Sequence, residues 1–105
     1  MREICLARLD KTRPVLVLTR EAARAAMTKV TVAPITSTIK GLSSEVPLDA
    51  SNGVDHACAV SLDNVMTIPT SALGRPVGCL RPDQERALAV AMVLAYDLEL
   101  SVLED

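Results

Sequence analysis

Two places in this chain hold side chains suited to gripping a phosphate. Arg13 heads the apolar run Pro14-Val-Leu-Val-Leu-Thr19, where packing has no use for a charge. Thr36-Ser37-Thr38, with Lys40 behind it, gathers hydroxyls and a cation just as another apolar stretch ends. Guanidinium and hydroxyl donors at strand ends can clamp a phosphate, the arginine in bidentate fashion. Spacing alone also admits a plainer reading, with Arg13 a solvated strand start and the hydroxyl cluster a turn.

Other chemistries lack their residues. The sequence has no Gly-rich phosphate loop, no GxSxG elbow and no zinc spacing, so no metal or other cofactor is expected. Cys5, Cys58 and Cys79 are odd in number, far apart and each set in an apolar stretch; buried, reduced, structural thiols are expected. His56 follows Asp55, but adjacent side chains on an extended chain point apart, so a surface histidine beside a turn is expected.

The elements that must position these residues follow from periodicity. Residues 2–9 alternate loosely and read as a first strand, 10–12 as a polar turn, and 14–19 as a strand buried on both faces. Residues 21–26 allow one helical turn. Lys29–Ile35 alternates at period two, and its Pro34 implies an edge or a bulge. A loop over 37–45, an edge-like strand at 46–48 and a turn at Asn52-Gly53 come next. Cys58–Leu62, Val65–Ile68 and Pro76–Leu80 are the remaining strands. From Pro82 the period changes: Leu88, Ala91, Ala95 and Leu98 recur at helical spacing, after Asp83 and Glu85 that suit a helix N-terminus. Val90, Met92, Val93 and Leu94 make this helix apolar nearly all round, which calls for a partner on its outer side. Six or seven short strands and a terminal helix describe a mostly β (α+β) fold, a small SH3-like barrel or a related β-roll.

With 105 residues, one domain spanning 1–105 is expected. Tyr96 is the single aromatic residue, so the core rests on aliphatic side chains, and such a protein often gains burial by pairing with a copy of itself. No apolar run approaches the roughly 20 residues that span a bilayer, no signal peptide is visible, and a cytoplasmic, reducing location is expected. The net charge of −2 is split: residues 1–40 hold eight basic against three acidic side chains, and residues 41–105 hold three against ten. Such asymmetry hints at a polyanionic partner on one side.

Four segments in register then narrow the reading. Arg13-Pro-Val-Leu-Val-Leu-Thr19, Val32-Ala-Pro-Ile-Thr-Ser37, Glu45-Val-Pro-Leu-Asp49 and Ser61-Leu-Asp-Asn-Val-Met-Thr-Ile68, with the closing helix, resemble the MazF/PemK family of toxin endoribonucleases. The match runs from about residue 2 to about 100. The resemblance implies a CcdB/PemK-like SH3 barrel, a homodimer, and sequence-specific cleavage of single-stranded RNA without a metal. It also implies an antitoxin partner, whose disordered acidic tail would lie over the basic first third. By the same resemblance Arg13 and Thr36 are the catalytic residues. Ser37, Thr38, Lys40, Asp63 and Asn64 would contact RNA. Two departures stand out: Met66 where relatives often carry arginine, and a shorter N-terminal segment without the family's usual aromatic. Lacking rings, the chain is expected to read bases mainly by hydrogen bonds from Asp63, Asn64 and the 36–40 loop. The competing reading keeps the fold: CcdB-like toxins poison DNA gyrase by protein contact, without RNase activity. A non-enzymatic SH3-like adaptor would need an aromatic groove, which this composition nearly excludes.

Overall fold

Alternation at the N-terminus produces a hairpin. Strands β1 (Glu3–Arg8) and β2 (Thr12–Val17) pair antiparallel, with Ile4 opposite Leu16 and Ala7 opposite Arg13. A computed structural model describes residues 1–100. After the short helix α1 (Glu21–Arg24), β3 (Lys29–Thr36) lies on the other side of β2. Strands β4 (Glu45–Leu48), β5 (Cys58–Ser61), β6 (Met66–Pro69) and β7 (Leu73–Cys79) complete a seven-stranded sheet. Its order is β4-β5-β3-β2-β1-β7, with β6 also on β3, and helix α2 (Pro82–Tyr96) follows. The sheet curls into a half-barrel, in keeping with the barrel-type fold expected.

Successive residues of a strand face opposite ways, so the sheet carries a core on each side. Ile4, Leu16, Ala33 and Ile35 join Val46, Leu48 and Val60 beneath Leu88 and Ala91 of α2. Cys5, Val15, Val17, Val30, Val32 and Ile68 form the second cluster. The two clusters contain no aromatic side chain.

Several details depart from the pattern-based expectation. Pro34 is not on an edge, because β3 is the most heavily paired strand. The proline is tolerated where the outer neighbour changes, between β6, which pairs with Lys29–Val32, and β5, which pairs with Ile35 and Thr36. Strand β7 begins three residues earlier than expected, at Leu73, with register shifts against β1 where Gly74 and Pro76 interrupt the alternation. Leu98 is not on the packed face of the helix. Asp97 adopts a left-handed conformation (φ 51°) and ends α2, leaving Leu98 exposed beyond it. Cys5 and Cys58 are buried as expected, whereas Cys79 is only half-buried.

The turn after β4 closes the half-barrel against β7. Its Asn52 is fully buried and exchanges two hydrogen bonds with Gln84 of α2, at 2.6 and 3.0 Å. Asn52 also donates to the Cys79 carbonyl, and Gln84 to that of Pro47. Gly53 (φ 85°) and Gly78 permit this approach. A Cβ on Gly78 would lie 1.7 Å from the Asn52 carbonyl oxygen, and one on Gly53 would lie 2.1 Å from that of Val77.

Candidate active site

Strand pairing brings the two proposed catalytic residues together. Carried two residues on from Val15 opposite Pro34, the β2–β3 register sets Arg13 across from Thr36 on one face of the sheet. Ala7 flanks Arg13 from β1, and Ala59 flanks Thr36 from β5. The row therefore reads alanine, arginine, threonine, alanine, and the small outer residues leave the inner two uncrowded.

This row opens into a groove of about 860 Å³ at the mouth of the half-barrel. The β1–β2 turn with the start of β2 (residues 9–14), the end of β3 with the residues after it (34–38), residues 53–56, and Met66, Arg75 and Val77 line it. Apolar side chains, among them Leu6, Pro14, Ile35 and Val54, are interleaved with the cations Lys11, Arg13 and Arg75. Apolar surface beside fixed cations suits a ligand with flat bases and phosphates.

Within the groove, Arg13 is gripped by Asp10, Nε donating to Oδ1 at 2.8 Å and Nη2 to Oδ2 at 3.0 Å. That hydrogen-bonded pair holds the Asp10 carboxyl far below the usual carboxylate range and pushes the Arg13 guanidinium up. Arg13 is thus a permanent cation with its orientation fixed on one edge. Three of its five N–H donors remain for a ligand. Thr36 Oγ1 accepts from the Thr38 backbone N–H at 3.0 Å, which leaves its hydroxyl proton to donate elsewhere. Ser37 and Thr38 also line the groove and are exposed. Cys58 also lines it, and burial raises its thiol above the ordinary range.

The other three proposed contacts lie outside the lining. Lys40 is exposed on the 37–44 loop, its backbone N–H donating to Glu45, which also holds Leu42. Asp63 accepts from Ser44, and Asn64 donates to Ser61, both on the turn between β5 and β6. That turn faces α2, where the Tyr96 hydroxyl donates to the Leu62 carbonyl at 2.8 Å.

Two groove residues escaped the sequence reading. Asp10 had a readable signal, a carboxylate three positions before Arg13 across a tight turn. Arg75 had none, since β7 breaks its own alternation. Asp55 and His56 do not point apart as expected: the backbone bends there, Asp55 Oδ1 meets His56 Nδ1, and both line the groove. Among the described residues, no three His, Cys, Asp or Glu side chains converge.

Comparison with known proteins bears on this arrangement. Residues 3–95 match the family described as PemK-like, MazF-like toxin of type II toxin–antitoxin systems. Endoribonuclease MazF3 of Mycobacterium tuberculosis is 56% identical over 99 residues, covering 94% of this chain and 96% of the relative. Probable endoribonuclease MazF5 of the same organism is 40% identical over 86 residues, covering 81% and 79%. Among solved structures, Mycobacterium tuberculosis toxin MazF-mt6 superposes with a TM-score of 0.91 at 55% identity, covering 93% of this chain and 99% of that one. A mycobacterial endoribonuclease in complex with its cognate antitoxin shares the fold, with a TM-score of 0.82 at 20% identity over 92% and 93% of the two chains.

Proposed function

The chain belongs to the PemK-like, MazF-like family of type II toxins, and from that premise we propose that it cuts single-stranded RNA with the substrate's own 2′-hydroxyl as nucleophile. The observation that carries this is that Arg13 and Thr36 line the same groove.

The chemistry asks little of the protein. The 2′-hydroxyl gives up its proton to solvent as its oxygen attacks the adjacent phosphorus, the bond to the 5′-oxygen breaks and that oxygen takes up a proton in return, leaving a 2′,3′-cyclic phosphate and a 5′-hydroxyl. The protein must hold the hydroxyl in line and stabilise charge on the phosphoryl oxygens. Arg13 presents its free donors to those oxygens and shields the leaving oxygen. It is no general base, since a guanidinium keeps its proton above pH 12. Asp10, held ionised by Arg13, is a weak base and serves to aim the guanidinium. Thr36 donates its hydroxyl to a non-bridging oxygen. Ser37 and Thr38 bind RNA within the groove, and Lys40, Asp63 and Asn64 extend the contact beyond it. Met66 supplies no charge to the lining, and Arg75 supplies a cation there.

The same reading assigns partners. A homodimer would cover the outer face of α2, where Val90 and Leu94 are exposed. An antitoxin's acidic disordered tail would compete with RNA for Arg13, Lys11 and Arg75, in a cytoplasmic setting. Among the described residues no helix is long and apolar enough to cross a membrane. The gyrase-poisoning alternative is not favoured, since the relatives matched along nearly the whole chain are named endoribonucleases.

The test is product chemistry. RNA incubated with the protein in excess EDTA should be cut to cyclic-phosphate and 5′-hydroxyl ends, and 2′-deoxyribose at the cut site should block cleavage. Loss of cutting with chelator, restored by added metal, would contradict the proposal.

A further inference from the structure

The groove needs something to hold a base. RNA-binding surfaces commonly stack bases on flat rings, histidine included. Tyr96, the single aromatic residue, sits on α2 with its hydroxyl tied to Leu62, away from the groove. The groove lining nonetheless contains one planar ring, that of His56.

Four features suit this ring to stacking. Its side chain is 59% exposed, so a face is open to ligand rather than packed away. Asp55 contacts Nδ1, which favours one setting of the ring's edge. The neighbouring Gly53 and half-buried Val54 add apolar surface to the lining, on which a base loses little by leaving water. Segment 53–56 is itself anchored, because Asn52 is buried and doubly bonded to Gln84.

We propose that His56 is the base-stacking residue of the groove, holding a nucleobase next to the phosphate that Arg13 and Thr36 engage. This rests on the RNA-cutting reading above and adds a determinant of affinity and sequence preference to it. His56 performs no proton transfer in this account. Asp55 is its positioning residue, and Lys11, Arg13 and Arg75 are the groove cations that take the flanking phosphates.

Two variants separate the ring from its charge. His56→Ala removes the ring, and His56→Phe keeps a ring that cannot titrate or accept a proton. The probe is a short RNA carrying the mapped wild-type cut site, its cleavable form for kinetics and its 2′-deoxy form for binding. Stacking on an aromatic side chain is worth on the order of a ten- to hundredfold change in affinity. Binding of the 2′-deoxy RNA and KM for the cleavable one should both worsen by that factor in His56→Ala, with a far smaller change in kcat. His56→Phe should recover most of the loss. A 2-aminopurine placed at each flanking position in turn should be quenched by wild type at one of them, and not by His56→Ala. Unchanged affinity in His56→Ala would overturn the proposal. So would a collapse of kcat in both variants, which marks a proton-transfer group. Failure of the RNA-cutting reading would look different, since wild type itself would then leave the RNA intact.

Discussion

Asn52 and His56 stand four residues apart on one turn, the first sealed against α2 and the second open to the groove. Every polar atom of the Asn52 amide is spent on the fold: it bonds Gln84 twice, receives the Asp49 backbone N–H and reaches the Cys79 carbonyl. These partners lie up to 32 residues away, so the amide ties helix, turn and β7 together. Groove side chains pair differently. Arg13 bonds Asp10 three residues away and His56 bonds its neighbour Asp55, both on the surface. Local pairs of this kind aim a side chain without joining distant elements. The sealed end of the turn therefore serves the fold, and the open end leaves its side chains free for a ligand.

Removing the sealed contact should give the largest loss of stability. Asn52→Leu removes the partners of the Asp49 N–H and the Cys79 carbonyl and leaves Gln84 only the Pro47 carbonyl and the Arg81 N–H, and a buried group left unpaired costs about 1–3 kcal/mol. A loss of roughly 3 kcal/mol or more is expected, read as a Tm lower by more than about 10 °C in thermal unfolding. A Tm within a few degrees of wild type would break the contrast between the two ends.

Gly78→Ala sharpens the same point through backbone rather than amide. Its added methyl meets the Asn52 carbonyl far inside contact distance. Overpacking of this kind costs about 1–3 kcal/mol, measurable by denaturant titration. A neutral substitution would mean that the turn can retreat from β7.

The smallest effect belongs to the groove. Asp10→Asn should barely alter stability, because the Asp10–Arg13 pair is exposed and screened. What stability it adds has a defined pH dependence. The folded carboxyl is lowered, so the contribution is present above the unfolded value near about pH 4 and fades as pH falls further. Wild type and Asp10→Asn unfolding curves should therefore converge in acid and separate slightly near neutrality. Cleavage by Asp10→Asn should fall less than cleavage by Arg13→Ala, since the guanidinium remains while its aim is lost. The opposite order would make Asp10 the chemical group.

Much of this was legible before any coordinates. Alternation located β1 and β3, a continuous apolar run located β2, and the change to helical spacing after Pro82 located α2. A charge heading an apolar run singled out Arg13, and hydroxyls at a strand's end singled out Thr36. Tertiary facts were not legible. Asn52-Gly53 reads as a surface turn, and nothing local reveals that Gln84 waits to bury its amide. Pro34 reads as an edge or a bulge because the sequence does not show that β3 changes neighbours beside it. Asp55 and His56 read as divergent because extended geometry was assumed where the backbone bends. The family resemblance supplied Asp63 and Asn64 as RNA contacts; both are exposed on the turn between β5 and β6, outside the groove lining.

The central claim is that Arg13 works on the substrate and not on the fold. Single-turnover cleavage of a defined RNA by Arg13→Ala, with Tm measured on the same preparation, tests it most directly. Loss of one transition-state donor should slow cutting by about 10²–10³, with Tm essentially unchanged because the side chain is exposed and locally paired. Cutting at the wild-type rate by a folded Arg13→Ala protein would contradict it.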